Sequence, residues 1–120
     1  MVYASNSDTR RQVIGALGTS IHPDLPDLEF IEVATGDAVF ALLDEHAVDL
    51  AILDGEASPV GGMGVAKQIR DEYSPCPPLV VLVAREADRW LADWSRADAV
   101  AASPVDPIAF AREVTALLRR

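Results

Sequence analysis

The sequence VDLAILDGEASPVGGMGVAKQIR, which covers residues 48–70, decides the fold of this chain. Its first six residues are apolar apart from Asp49, a pattern typical of a central parallel strand that is covered on both faces. Asp54 follows this run, and after it come a loop rich in small residues, Gly55 to Gly64, and apolar residues at helical spacing. A buried strand that leads through a loop into a helix is half of a βαβ unit, which predicts an α/β protein.

The same alternation of strand and helix recurs on both sides of this stretch. Short apolar runs predict further strands at Met1–Ala4, Leu28–Val33, Leu79–Val83 and Ala99–Ala102. Helical spacing predicts helices at Asp8–Ser20, Gly36–His46, Glu86–Arg96 and Pro107–Leu118, besides the helix that follows Gly64. Five strands that alternate with five helices predict right-handed crossovers and a doubly wound, five-stranded parallel sheet.

Local signals place the ends of two helices. Ser5, Asn6 or Ser7 can cap the first helix, which we expect to end at His22-Pro23. Pro107 stands at the first position of the last helix, where its missing N–H has no cost.

Length and charge limit the functions that are open to the chain. The 120 residues, half of them apolar, can fill one core, so we expect a single domain over residues 1–120 with no output domain. Lys and Arg number 10 and Asp and Glu 19, which gives a net charge of −9. Such an acidic surface repels phosphate backbones, so we expect protein partners and no nucleic-acid partner.

Other sequence features argue against a membrane, a disulfide or a metal. Residues 5–12 are polar where a signal peptide needs an apolar run, and the longest apolar runs have strand length, so a cytoplasmic location is expected. Cys76 is the single cysteine, and no internal disulfide can form. His22 and His46 lie far apart without cysteine neighbours, so no metal site is predicted from them.

Asp54 is the residue with the clearest chemical potential. Sheets of this kind bind ligands beyond the carboxyl ends of their strands, where the loops after Ala4, Asp54, Val83 and Ala102 begin. A carboxylate at the end of the central strand is a candidate nucleophile for phosphoryl transfer. That chemistry also needs a divalent cation and a positive group to offset charge on the phosphoryl oxygens.

The chain resembles the receiver domains of bacterial response regulators over essentially its whole length. Residues 48–70 are similar to the family's phosphoacceptor strand, loop and third helix without a gap. The sequence RADAVAASPVDPIAFAREVTALLRR, residues 96–120, resembles the family's fifth strand and last helix. The resemblance implies a flavodoxin-like (βα)5 fold with strand order 2-1-3-4-5. It also implies that the Ser103–Pro104 peptide bond is cis.

Several positions depart from the family's pattern around Asp54, which alone keeps its identity. The acidic pair that holds Mg²⁺ is replaced by Ala4-Ser5, and the nearest acid, Asp8, lies one turn into the helix. The Ser or Thr that ends the fourth strand is replaced by Val83, and the lysine after the fifth strand by Ser103. The aromatic switch residue is replaced by Val100, so both switch positions carry valine.

These losses point to a pseudo-receiver that acts by protein–protein contact without phosphorylation. Mg²⁺ would keep one carboxylate and several waters, so we expect weak binding or none, no cofactor and no enzymatic activity. Asp54 is then a vestigial phosphoacceptor.

Two alternatives remain open at this point. In the first, a histidine kinase phosphorylates Asp54, and Asp8 stands in for the lost acids as a metal ligand. In the second, from another class, the polar turn Ser5–Thr9 serves a flavodoxin-like cofactor-binding protein.

Trp90 and Trp94 are the candidate interface residues. They lie four apart on the predicted fourth helix and so share a face. In receivers the fourth helix, fifth strand and fifth helix form the face that contacts a partner or a second copy, and aromatic residues are enriched in binding hot spots. A protein partner, or a homodimer, is therefore expected at this face. The glycines Gly55, Gly61, Gly62 and Gly64 lack the spacing and lysine of a P-loop and are expected only to turn the chain.

Overall fold

Five parallel strands form one sheet, and counted along the chain they lie in the order 2-1-3-4-5 that the resemblance implies. The computed structural model describes residues 1–58, 60–85 and 88–120, and gives only the backbone of residues 91 and 92. The strands are β1 (Val2–Tyr3), β2 (Glu32–Val33), β3 (Ala51–Asp54), β4 (Leu79–Val83) and β5 (Ala99–Ala102). The helices are α1 (Ser7–Leu17), α2 (Gly36–Glu45), α3 (Gly62–Glu72), α4 (Arg89–Ser95) and α5 (Pro107–Leu118).

The core consists of two apolar layers, one on each face of the sheet. Successive residues of a strand point to opposite faces, so Tyr3 and Leu53 pack toward α2 and α3 while Val2 and Ile52 pack toward α1 and α5. Every residue of β3 and β4 is buried. Residues 50–53 are covered on both faces, which explains why this part of the run is wholly apolar.

Side-chain caps fix the starts of three helices. Asn6, one of the three predicted caps, accepts a hydrogen bond from the backbone N–H of Asp8 at the start of α1. Thr35 and Asp106 do the same for α2 and α5. Each cap satisfies a backbone donor that the first turn of a helix leaves without a partner.

Several predicted boundaries were wrong. Strand β3 covers Ala51–Asp54, although the apolar run that predicted it is Val48–Leu53. Helix α1 ends at Leu17, not at His22-Pro23, because Gly18 adopts a φ of 66°, which breaks the helical hydrogen bonding. Strand β2 comprises only Glu32–Val33 instead of Leu28–Val33. Helix α3 begins at Gly62, inside the stretch that was predicted as a loop. The predicted start of α4 at Glu86 lies outside the described residues, and the helix is seen from Arg89.

Asp98, the residue before β5, connects α3, β4 and the end of the chain after α5. One of its carboxylate oxygens accepts hydrogen bonds from the Leu79 amide at 2.8 Å and from Arg70 at 2.7 Å. The other oxygen pairs with Arg120 at 3.2 Å. Burial alone would raise the pKa of Asp98, but the Leu79 amide and the two guanidinium groups outweigh it, so the pKa lies below its ordinary value.

We predict that Asp98→Asn lowers the free energy of unfolding at pH 7 by about 1–2 kcal/mol, because the amide keeps an acceptor for Leu79 but loses both ion pairs. A folded-state pKa below the unfolded value stabilises the protein above the unfolded pKa, and this contribution is lost as the pH falls through the folded value. The difference between wild type and variant should therefore shrink toward pH 3. Urea denaturation followed by circular dichroism measures it, with the exposed Asp93→Asn as the control. An equal loss at both pH values would contradict the assignment.

Candidate functional site

Asp54 is the last residue of β3 and lies at the carboxyl edge of the sheet. Its side chain is 7% exposed, and Oδ1 accepts a hydrogen bond from the backbone N–H of Glu56 at 3.0 Å. In the described part of the chain, no donor contacts the second carboxylate oxygen. The carboxylate therefore orders its own loop through one oxygen and leaves the other available.

The end of β1 lies beside Asp54. Tyr3 pairs with Leu53, which places the buried Ala4 next to Asp54 across the two strands. Ser5 is exposed, and its hydroxyl oxygen accepts a hydrogen bond from the Ser58 amide at 3.1 Å. At the two positions where the resemblance implies acids, Ala4 has a methyl group and Ser5 has a hydroxyl that is hydrogen-bonded to the β3–α3 loop.

The other side of Asp54 is formed by the ends of β4 and β5. Val83 is buried, and its carbonyl oxygen accepts a hydrogen bond from the Ser103 amide at 2.8 Å. The Ser103–Pro104 peptide bond is cis, the conformation that the resemblance implies. Val100 is half-buried within β5. The structure therefore brings Ala4, Ser5, Val83 and Ser103 together at the edge where Asp54 lies.

The residues at this edge do not fit a multi-carboxylate Mg²⁺ site. Mg²⁺ in receivers needs several oxygen ligands close together, and Asp54 is the single carboxylate among the four strand ends. Asp8 forms an ion pair with Arg11 at 3.0 Å, and its side chain is 80% exposed. Within the described ranges, no group of three or more His, Cys, Asp or Glu residues is placed to hold a metal ion.

Tyr3 is a site residue that the sequence reasoning missed. Its ring is fully buried, and its hydroxyl donates a hydrogen bond to the Val60 carbonyl oxygen in the β3–α3 loop. Burial, and to a smaller extent the charge of Asp54, raises the pKa of Tyr3 above its ordinary value. Its signal in the sequence is a phenol in an otherwise aliphatic strand, since a buried tyrosine needs a partner for its hydroxyl.

Arg10 was also missed, and its side chain contacts the end of β1. Its side chain is 16% exposed, and it pairs with Glu32 at 3.0 Å. One guanidinium nitrogen donates a hydrogen bond to the Ala4 carbonyl oxygen at 2.6 Å. A largely buried cation is therefore held between the end of β1 and Glu32 of β2.

The glycines around Asp54 do more than turn the chain, which corrects our expectation. Gly62 lies in the first turn of α3, and a Cβ atom there would come within 2.6 Å of the Asp54 carbonyl oxygen. At Gly55 a Cβ atom would lie 2.7 Å from the Leu82 carbonyl oxygen. Gly64, by contrast, is helical with open space around it. Gly55 and Gly62 are thus needed because backbones approach closely at the site.

Trp90 and Trp94 lie on α4 and are both largely exposed, at 70% and 59%. The Lys67 ammonium nitrogen of α3 lies 5.9 Å from the centre of the Trp94 ring, which is within the range of a cation–π contact. Arg89 donates a hydrogen bond to the Val100 carbonyl oxygen at 2.9 Å and so joins α4 to β5. The two aromatic rings are therefore presented to solvent. None of the helices in the described ranges could reach across a membrane.

Comparison with known proteins places the chain among bacterial signalling proteins. No protein-family model matches it. It is 56% identical over 119 residues to the uncharacterized response regulatory protein Rv3143 of Mycobacterium tuberculosis. The match covers 99% of this chain and 90% of that protein. It is also 30% identical over 92 residues to the response regulator GtcR of Aneurinibacillus migulanus, across 75% of this chain and 37% of GtcR.

Solved structures agree on the fold. The receiver domain of NtrX from Brucella abortus superposes with a TM-score of 0.80 at 19% identity, and the match covers 98% of this chain and 96% of that one. The response regulator TrrA from Thermotoga maritima gives 0.76 at 20% identity, with 97% and 95% covered.

We predict that Gly62→Ala lowers the free energy of unfolding by about 1–3 kcal/mol, because the added methyl group must push α3 away from the end of β3. Gly64→Ala is the matched control on the same helix, and we expect it to raise that free energy by about 0.5 kcal/mol. Urea denaturation followed by circular dichroism compares the two variants. Equal effects would show that helix propensity, and not the close approach to Asp54, decides the result.

Proposed function

This chain belongs to the response-regulator family, and we propose that it is a pseudo-receiver that acts by protein–protein contact without phosphorylation of Asp54. The observation that carries the proposal is the set of side chains at the strand ends. Ala4, Ser5, Val83 and Ser103 surround a single carboxylate that is already hydrogen-bonded to the Glu56 amide.

A phosphoryl group on Asp54 would lack compensation for its charge. A phosphoryl group carries about two negative charges at neutral pH, and enzymes that form one place cations or a metal ion against its oxygens. Ser103 offers a hydroxyl where the family has an ammonium group, and Ser5 offers a hydroxyl that is bonded to Ser58 where the family has an acid. The nearby guanidinium of Arg10 is committed to Ala4 and Glu32.

The means of transmitting a phosphorylation signal is also missing. A modification shifts a conformational equilibrium only if it contacts the two states differently. Val83 has no hydroxyl to follow a phosphoryl group, and Val100 has no aromatic ring to move in response. Regulation in this chain would then come from the amount of protein or from its partner rather than from a phosphorylation-driven switch.

The exposed tryptophans of α4 supply the contact surface in this proposal. Large aromatic side chains are favoured where a partner can bury them, and α4 is connected to β5 through Arg89. Ile108 on α5 is also exposed, at 74%. The face formed by α4, β5 and α5 therefore carries apolar side chains for a protein partner or for a second copy of the chain. No enzymatic role is proposed.

One observation favours a second candidate function, a single-domain regulator phosphorylated on Asp54 by a histidine kinase. The second oxygen of Asp54 has no donor in the described part of the chain, so it could act as a nucleophile. This alternative needs Asp8 to leave Arg11 and bind Mg²⁺.

Intact-mass measurement after incubation with acetyl phosphate and Mg²⁺ separates the two functions. We predict that the wild-type mass does not change, because no acidic pair or lysine supports the reaction. Asp54→Asn is the control for modification at other residues. A gain of one phosphoryl group by the wild type alone would contradict the proposal.

A variant that carries Ala4→Asp, Ser5→Asp and Ser103→Lys tests the physical reason. We predict that it gains one phosphoryl group and that the gain disappears when Asp54→Asn is added. If the restored variant folds by circular dichroism yet stays unmodified, the missing side chains are not the cause of the wild type's inertness.

The contact surface is tested by capturing partners from an extract of the native organism on immobilised protein. We predict that the wild type and the control Val60→Ala, which trims an exposed apolar side chain away from α4, retain the same partner. Trp90→Ala/Trp94→Ala should lose at least about nine-tenths of it, since loss of two hot-spot aromatics costs several kcal/mol. Sedimentation of wild type and double variant tests the homodimer. Equal retention by all three proteins would show that the partner binds elsewhere.

A further inference from the structure

A groove lies at the amino-terminal edge of the sheet, opposite the end that carries Asp54. Its volume is about 810 Å³, within the range of pockets that bind ligands or peptide side chains. The start of β1, the residues before β3 and the end of α5 line it, together with the chain from Leu25 to Ile31. Neither Asp54 nor the two α4 tryptophans are among the residues that line the groove.

The groove exists because the chain before β2 does not pair as a strand. The sequence predicts pairing from Leu28, but pairing begins only at Glu32. Val2 donates to the Ile31 carbonyl oxygen at 2.9 Å, and Leu28 donates to the Thr19 carbonyl oxygen at 2.7 Å. Between these two bonds the chain runs beside the sheet and leaves its apolar side chains incompletely covered.

The floor of the groove is apolar. Ile31 is 37% exposed, and five further apolar residues that line the groove are only half-buried. These are Leu25, Leu28, Phe30, Val48 and Leu118. The free energy falls when a partner removes the remaining surface of half-buried aliphatic and aromatic side chains from water.

The rim of the groove is acidic. Asp27, Glu29 and Asp49 are exposed, and none of them forms an ion pair in the described part of the chain. Arg120 also lines the groove, but its guanidinium is paired with Asp98. The amino group of Met1 donates to the Leu50 carbonyl oxygen at 2.9 Å, and burial lowers its pKa. The charge of Asp49 partly opposes this lowering, while Asp27 and Glu29 keep their negative charges without an ion-pair partner in the described part of the chain.

We propose that this groove docks a basic amphipathic segment of a protein partner, whose apolar residues cover the floor and whose Lys or Arg side chains pair with Asp27, Glu29 and Asp49. Charge complementarity selects this occupant. A second copy of the chain would bring a net charge of −9 toward three carboxylates, which opposes its approach. An amphipathic helix or strand offers both the apolar face and the flanking cations that the groove lacks.

The test uses a fluorescein-labelled synthetic helical peptide with Leu along one face and Lys along the other, titrated with the full chain at low salt. We expect saturable binding that weakens as ionic strength rises. A matched peptide with Glu in place of Lys should not bind. Backbone amide shifts measured by NMR should concentrate at Leu28–Ile31 and at Val48–Leu50, and shifts centred on α4 would overturn the proposal.

Variants separate the groove from the general acidity of the chain. We expect Asp27→Asn/Glu29→Gln/Asp49→Asn to weaken peptide binding by about tenfold, because it removes the complementary charges. The control Asp37→Asn/Glu56→Gln/Asp93→Asn removes the same charge elsewhere and should bind nearly as well as wild type. An equal loss of peptide affinity in both triple variants would overturn the proposal, because it would show that the peptide is attracted by the overall negative charge. Ile31→Ser tests the apolar floor and should also weaken binding.

Binding of a peptide in the groove does not depend on the contact surface proposed for α4. Trp90→Ala/Trp94→Ala should bind the peptide as wild type does, whatever its effect on the α4 partner. In a final experiment, dodecylamine replaces the peptide in the titration with the full chain. If dodecylamine binds at the groove and the peptide does not, the site takes a small hydrophobic amine and the proposal of a protein segment is wrong.

Discussion

The complete burial of β3 and β4 is the constraint on which the rest of the structure depends. Two neighbouring parallel strands that are apolar on both faces require helices on both sides, and parallel pairing requires each connection to cross the sheet. Helices α3 and α5 meet these requirements, and each supplies three buried residues to one of the two core layers. The same geometry directs all five strand ends to one edge, so the position of Asp54 follows from the packing before any chemistry is considered.

At that edge, hydrogen bonds within the protein connect the end of β1 to neighbouring segments. The Ser5 hydroxyl and the Tyr3 hydroxyl both bind the β3–α3 loop, and the Arg10 guanidinium binds the end of β1. Each of these contacts couples β1 to its surroundings without any ligand. Two side-chain hydrogen bonds therefore tie the β3–α3 loop to the end of the first strand.

How far the sequence predicted the structure depended on the range of the interactions involved. The bounds of β4, β5 and α5 were confirmed, because the short aliphatic runs and the Asp106-Pro107 cap are local signals. The short β2 was not foreseen, since its pairing is decided by how residues 19–31 run beside the sheet. The contacts of Tyr3 and Gly62 join residues far apart in sequence or separate backbones, and no local pattern specifies them. The groove is a product of the same long-range arrangement.

The exposure of Trp90 and Trp94 has a consequence for how the protein can be observed. The chain has two tryptophans, and both project from the same short helix into water. Their ultraviolet fluorescence therefore reports on the α4 surface. It is a poor reporter of the core, because these indoles are in contact with water both before and after unfolding. Emission should already be red-shifted in the native state and change little with denaturant. Conversely, a blue shift on mixing with another protein would locate contact at α4 without any label.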